Sequence, residues 1–475
     1  MGRKAIYQSI FHQLRYQILS GEWPIGSPLP PERKLAEELH VSRNTIVRAY
    51  AELESEGLIE SRVGSGRYVQ PLSPLSHGPR DDWREQLVRE PMLMAYPSHM
   101  AEMLSLSSPG QHVINFAHGD GGKHTLPSIR FDQYLQRAAQ HPQSYYFLPI
   151  DGHVELRQWI VDWMGMKQVS SPDQVVVTSG SQEALQMVTT ILAKPGDTIA
   201  LEMPTYFGAL QLFQSLGMKI IPIPVDTDGM RVDVLEGVVA RVRPKLIYTV
   251  PTFHNPTGNT LSYERRKRLL AVSERYGIPI IEDDAYRHLH FEKEPPPPLK
   301  SMDQSGHVIY LNTFSKMLFP GMRLGWVAAS RPFIEMVRRL KELTITNNTM
   351  GQWALLYLLQ DQVLTDHLIK VRKLYAQQAK VMGQHLDGLA KRYGLAYEQP
   401  AGGFYYWVSL PERFDVHKVQ SLCLQRGVAF ASGDMFLSRE AISPYIRLCY
   451  THEAAEQIES GMHVLGEVLQ ELEGN

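Results

Sequence analysis

Hydrophobic residues at the start of the chain recur with helical spacing. Ile6, Ile10, Leu14 and Ile18 lie four apart and make one apolar stripe, which predicts a helix ended by Gly21. PPERKLAEELH predicts a second helix, with Pro31 suited to its first turn and Leu35, Ala36 and Leu39 facing inward. After the turn His40-Val41-Ser42, Ser42 is placed to cap a third helix whose apolar positions are Ile46, Ala49, Tyr50 and Leu53. That register leaves Arg43, Asn44, Val47 and Arg48 on the opposite face. LIESRVGSGRYV then reads as two strands around Gly64-Ser65-Gly66, flanked by Arg62 and Arg67.

Across 71–112 the periodicity stops and six prolines accumulate, which predicts a linker whose 87–106 stretch has the leucines and methionines of a packing helix. From Val113 onward, β-branched runs (VVVT, KLIYTV, IPIIED, HVIYLN) alternate with helical patterns, the signature of βα units around a mostly parallel sheet. Beyond about 346, long helical patterns carry two strand-like pieces, GGFYYWV and YIRLCY. The expected organisation is a compact unit at 1–70, a linker at 71–112, and an α/β domain at 113–475. Within the last, a large domain at about 166–345 is joined by a smaller α+β lobe from about 113–165 and 346–475. Pro295 to Pro298 is expected to be a surface loop.

Composition changes this picture little. A chain of 475 residues, 43% hydrophobic and 21% charged, is neither one small domain nor a disordered polymer. Its 48 Lys+Arg against 50 Asp+Glu leave a net charge of -2, so any nucleic-acid site must be local. Cys423 and Cys449 stand among apolar residues and suit buried thiols better than a disulfide framework or a metal centre, and no metal is expected. With no secretory pattern and no long apolar run, a cytoplasmic protein without a membrane span is expected.

Two short helices joined by a tight turn, with Arg43, Asn44 and Arg48 exposed on the second, suit a major groove. Guanidinium and amide groups bond base edges there, while Ser42 and Thr45 reach phosphates. Two arginines on an outer helical face are more often only solvated, and residues 1–70 carry a net charge of +1, so a basic footprint needs Glu37, Glu38, Glu52, Glu54 and Glu56 turned away. The stretch LPPERKLAEELHVSRNTIVRAYAELESEGLIESRVGSGRYV nevertheless resembles the winged helix-turn-helix of GntR-type regulators along nearly its whole length. That resemblance implies DNA contact at Arg33, Ser42, Arg43, Thr45 and Gly66. Many GntR-type proteins place an arginine where this chain has Val47, with Arg48 one step further round.

In the α/β part, four pieces lie where strands should end. VVVTSGSQEAL gives a strand, a small-residue turn and a helix opening at Ser181, whose free N–H groups and dipole suit a phosphate. Asn255 follows in HNPTG, Asp283 and Tyr286 in IIEDDAY, and Lys316 in NTFSKMLFPGMRLGW. Singly each has a plain explanation as a turn, a cap or a solvated lysine. Together they supply what pyridoxal 5'-phosphate (PLP) requires: an amine for a Schiff base, a carboxylate for the ring nitrogen, and donors for the phenolic oxygen and phosphate. In this assignment Lys316 is the catalytic amine and Asp283 keeps the ring nitrogen protonated. Asn255 and Tyr286 bond the phenolic oxygen. Thr313, Ser315, Arg323 and the turn at Ser181 and Gln182 bind phosphate, and Tyr206 either stacks on the ring or is structural.

Asp283 lies 28 residues after Asn255 and Lys316 lies 33 after Asp283; this order and spacing resemble class I/II aminotransferases of fold type I. The resemblance includes GHVELRQW, GGFYYW and YIRLCY, whose Arg447 matches the family arginine that grips a substrate carboxylate. Where the family commonly has a tyrosine lent to the neighbouring subunit's phosphate, this chain has Phe147, with Tyr146 adjacent. The two parts joined through a linker resemble the MocR/GabR group of regulators. That implies a PLP-dependent, DNA-binding homodimer whose second domain senses an amino acid, a related amine or PLP itself. The expected fold is thus multidomain: a winged helix-turn-helix, then an α/β PLP-transferase-like large domain with a smaller α+β lobe. The alternative is an active aminotransferase, for instance of the 2-aminoadipate type, with an accessory DNA-binding head.

Overall fold

The computed structural model describes residues 3–19, 23–62, 66–70, 113–345, 347–438 and 442–474. The expected linker at 71–112 with its 87–106 stretch, the wing tip at Gly64 and Ser65, and Gly21 lie outside the described residues. The chain divides into two compact units, Met1–Leu93 and Met94–Asn475.

In the first unit, helices α1 (Arg3–Leu19), α2 (Glu32–Glu38) and α3 (Arg43–Ser55) precede the antiparallel strands β1 (Ile59–Arg62) and β2 (Gly66–Val69), paired from Ile59↔Val69 to Arg62↔Gly66. The stripes meet as their spacing requires: Ile10, Leu14 and Ile18 pack with Leu35, Ala36, Ile46, Ala49, Leu53 and Val69 in one core. Ser42 caps α3, its Oγ accepting from the Thr45 amide at 3.3 Å. Pro31 stands one residue before α2 rather than inside its first turn.

The second unit is built on an eight-stranded sheet. Its strands are β4 (Val175–Thr178), β5 (Thr198–Met203), β6 (Lys219–Asp226), β7 (Gly229–Met230), β8 (Leu246–Thr249), β9 (Ile280–Asp283), β10 (Val308–Thr313) and β11 (Gly325–Ala328), in the order β4-β11-β10-β9-β8-β5-β6-β7. The central neighbours from β10 to β6 are parallel, whereas β11 runs antiparallel between β10 and β4. Strands β4, β8, β9, β10 and β11 are buried at every position, as a sheet covered on both faces demands. β11 starts at Gly325, where a Cβ would lie 2.9 Å from Gly180 Cα and 2.7 Å from the Asn312 carbonyl.

The smaller lobe has a second sheet, ordered β12 (Ala396–Tyr397), β13 (Tyr405–Ser409), β16 (Tyr445–Cys449), β15 (Ala431–Ser432). GGFYYWV and YIRLCY thus supply its two central strands. A separate parallel pair, β3 (Ile114–Asn115) with β14 (Val428–Ala429), brings the segment 114–120 to this lobe. Both cysteines are buried and unpaired. Pro295 to Pro298 is more than a surface loop: Arg287 donates to the carbonyl of Pro296 and Arg266 to that of Pro297.

Replacing Ser42 by alanine removes the cap of α3 and should cost about 0.5–2 kcal/mol. Hydrogen exchange in the full-length protein should show the first-turn amides of α3 opening faster, with the eight-stranded sheet unchanged.

Candidate functional site

The chemistry-bearing residues of the second unit gather at the carboxyl ends of β8, β9 and β10. Lys316 sits on a single turn, Phe314–Met317, directly after β10, and its Nζ donates to the Gly119 carbonyl at 2.5 Å. Burial pulls its ammonium below the usual lysine range, while the Asp120 charge works the other way. Asp283 ends β9. Burial raises its carboxyl to about 6 against the opposing hydrogen bond from Tyr248 Oη, which reaches Oδ2 at 3.1 Å. The other oxygen, Oδ1, is buried with no hydrogen-bond partner.

A chain of polar contacts crosses to the small lobe. Asn255 Nδ2 approaches Tyr286 Oη at 3.5 Å, and that hydroxyl pairs with Tyr405 Oη at 3.1 Å. Arg447, on β16 and fully buried, donates to Asn255 Oδ1 at 3.0 Å and to the Ala117 carbonyl at 2.5 Å, with its guanidinium 4.3 Å from the Tyr405 ring centre. Its Nε has no partner.

The residues expected to take phosphate are arranged around Gly180. This residue has φ 86° and precedes the helix Ser181–Leu192, which no side chain caps. A Cβ at Gly180 would lie 2.9 Å from Arg323 Nη2, and that nitrogen donates to the Ser179 carbonyl at 2.7 Å. Thr313 Oγ1 donates to Ser315 Oγ at 3.0 Å. Gln182 is turned toward the Gly208 carbonyl at 2.8 Å, and Tyr206, pushed up to about 12 by burial, opens the next helix, Phe207–Ser215.

In the first unit, Arg33, Ser42, Arg43, Asn44, Arg48 and Gly66 are exposed and Thr45 is half-buried. Arg33, Glu37, His40 and Arg43 line one groove, so Glu37 is not turned away as the charge argument wanted. Arg48 stacks its guanidinium 4.1 Å from the Tyr7 ring centre. Glu32 links three elements. Its Oε2 accepts from Arg43 at 3.0 and 3.1 Å, and its Oε1 accepts from Arg67 of β2 at 2.5 Å.

The family described as aminotransferase class I and II matches residues 111–465, and that described as bacterial regulatory proteins, gntR family, matches residues 6–69. The helix-turn-helix transcriptional regulator YisV of Bacillus subtilis, itself uncharacterized, is 32% identical over 98% of this chain and 96% of its own. The chain belongs to the helix-turn-helix regulators of the MocR type. Within this family the second unit also resembles free-standing enzymes. The 2-aminoadipate transaminase of Thermus thermophilus is 30% identical over 79% of this chain and 94% of its own. Among solved structures, the α-aminoadipate aminotransferase LysN from the same organism, complexed with N-(5'-phosphopyridoxyl)-L-leucine, superposes with a TM-score of 0.76. It is 28% identical and covers 82% of this chain and 99% of LysN.

PLP is the cofactor this family fold implies, and the residues present fit it. Asp283 Oδ1 is a buried acceptor without a donor, an uncapped helix start faces a turn whose glycine leaves room beside Arg323, and Lys316 offers the amine. Tyr248, Tyr405, Gly119 and Glu32 escaped the sequence pattern. Tyr248 sits inside KLIYTV, where alternation marks it only as core, and Tyr405 inside GGFYYW, which marks it only as strand. Glu32 was visible as a charge, but its partners lie 11 and 35 residues away.

Asp283 gives a pH test on the cofactor-free protein. Its folded value of about 6 lies above the ordinary 3.8, so the stability it contributes is complete below about pH 4 and is lost as pH rises through about 6. Asp283→Asn should remove that loss, roughly 1–3 kcal/mol, and make the fall in thermal stability between pH 4 and pH 6 shallower, the remaining slope belonging to the raised carboxyls of Glu202 and Glu282.

Proposed function

We propose that this chain is a PLP-dependent transcription regulator whose first unit reads an operator and whose second unit senses an amino compound. The single observation that carries the proposal is the coexistence, in one chain matched end to end by regulators, of a capped helix-turn-helix with exposed Arg43 and Asn44 and a cleft holding Lys316, Asp283, Asn255 and Arg447 together.

Bound PLP supplies an electrophilic carbon for amines and a ring that accepts electrons. Lys316 Nζ would hold the group and would take or return a proton at the ligand's α-carbon; its lowered basicity suits that exchange. Asp283 Oδ1 would accept from the ring N–H. Asn255 and Tyr286 would donate to the phenolic oxygen. Ser181, Gln182, Thr313, Ser315 and Arg323 would hold phosphate, and Tyr206 would flank the ring. Arg447 turns its guanidinium to a ligand carboxylate. A carboxylate taken there competes with Asn255 Oδ1 and Ala117 O, so occupancy alters how the small lobe is tied to the large one.

Three consecutive exposed aromatics, Tyr145, Tyr146 and Phe147 at 66%, 72% and 80%, support a homodimer in which a second copy covers them. The protein works in the cytoplasm, where operator DNA is found. Amino transfer is the second reading, favoured by the presence of every group needed to move the α-proton.

Two measurements test the proposal. The purified protein with PLP should show the visible band of lysine-bound cofactor, absent in Lys316→Ala; no band in the unmodified protein overturns the reading. A band that shifts with an amino acid and stays shifted marks a sensor, whereas catalytic accumulation of a new amino acid marks the enzyme. On an operator fragment, Arg43→Ala should weaken binding by roughly 10–100-fold and relax sequence preference. Arg33→Ala should lower affinity on all sequences alike and reduce the salt slope by about one.

A further inference from the structure

Beside Lys316 lies a side-chain array that the cofactor assignment does not use. His452 Nδ1 is 2.6 Å from Asp120 Oδ1, His118 Nδ1 is 3.7 Å from Asp120 Oδ2, and the two imidazole rings are 4.9 Å apart. The segment carrying Asp120 is braced: Thr451 Oγ1 donates to the Asp120 carbonyl at 2.8 Å, and Gly122 N to the Thr451 carbonyl at 3.0 Å. A side chain at Gly119 would collide with Tyr405 Oη, so the backbone lies tight against the cleft. Along four residues, then, Arg447 bonds the Ala117 carbonyl, Lys316 bonds the Gly119 carbonyl, and Asp120 follows.

We propose that Asp120, oriented by His118 and His452, is the subsite for the far end of the sensed amino compound, and that it takes a second, cationic amine. The inference rests on the sensing role proposed above. Arg447 provides for a carboxylate and Lys316 marks where the reacting amine arrives; Asp120 is the next group along the same segment and has the opposite charge to Arg447. Burial works against that charge, yet His452, bonded at 2.6 Å, and the nearby His118 hold the Asp120 carboxyl well below the ordinary aspartate range, so it is ionised at neutral pH. Of the charges acting on Lys316, Asp120 acts most strongly, ahead of Arg447 and Asp283. The carboxylate is 21% and His452 25% exposed, so an arriving ammonium reaches them. A carboxylate has about four acceptor positions, which leaves capacity beyond its two histidines. A second carboxylate on the ligand would meet like charge here.

The same three groups are those a divalent cation would use, since their ligand atoms all lie within 4.8 Å. At 2.6 Å the His452–Asp120 contact already has hydrogen-bond length, with the proton on Nδ1, and a metal would have to displace it.

The test uses full-length protein carrying PLP, with binding of L-ornithine, L-norvaline and L-glutamate followed by calorimetry and by the visible band. L-ornithine should bind at least about tenfold more tightly than L-norvaline, which is similar in length but lacks the second amine, with L-glutamate weakest. Asp120→Asn should bring ornithine and norvaline within about threefold, and Asp120→Glu should restore part of the preference. Each variant's shift is scaled to its own band. The discrimination by the unmodified protein stands as the test even where Asp120→Asn does not fold. Norvaline binding as tightly as ornithine, glutamate binding more tightly, or a preference unchanged in Asp120→Asn overturns the subsite alone. So does Zn2+ alone, if it stabilises the parent, spares Asp120→Asn and blocks ornithine. No band and no heat with any of the three overturns the sensing role and the subsite together.

Discussion

One buried guanidinium holds the candidate site in register. Arg447 belongs to the small-lobe strand β16, yet its hydrogen bonds go to Asn255 of the large domain and to Ala117 beside the parallel pair β3–β14. An unpaired buried charge is costly, so the lobe must sit where both acceptors are in reach. The rest of the cleft inherits that placement, because Asn255 meets Tyr286, Tyr286 meets Tyr405, and the Tyr405 ring lies under Arg447 itself. The ring of contacts closes on two lobes that the chain joins only at a distance.

Behind this ring the large domain buries further ionisable groups. Arg266, fully enclosed, donates to the carbonyls of Leu261, Pro251 and Pro297 and lies 3.8 Å from Glu282, whose carboxyl burial pushes up to about 8. Glu282 in turn accepts from the amides of Leu299 and Lys300. Neighbouring Glu202, raised to about 7 by burial, accepts from Thr249 and Val250. These two carboxyls, carried near the ends of β5 and β9, satisfy the amides of Val250, Leu299 and Lys300, which keeps the backbone around Asp283 fixed.

Much of this is legible in the amino-acid sequence. The order of strands and helices followed from β-branched runs, and α3 from a spacing that put Ile46, Ala49, Tyr50 and Leu53 on one face, as they are. Lys316, Asp283 and Asn255 are legible as a set because each lies at or beyond the end of a strand, and strand ends in a parallel sheet face one edge. What escaped was tertiary. The antiparallel insertion of β11 between β10 and β4 has no local signature, since GWVA is an ordinary apolar run. Nor could spacing pair Asp120 with His452, 332 residues later, or show that Glu37 shares a groove with Arg33.

The Glu32 clamp carries a consequence for how such a protein can diverge. Because a single carboxylate serves both Arg43 on the helix and Arg67 on the wing, the two cations are already ordered before any partner arrives, and less side-chain freedom remains to be lost on docking. The same economy makes them hostage to each other. A change that draws Arg43 away leaves the Glu32 carboxylate to Arg67 alone, so an alteration at the start of α3 is felt on β2 as well.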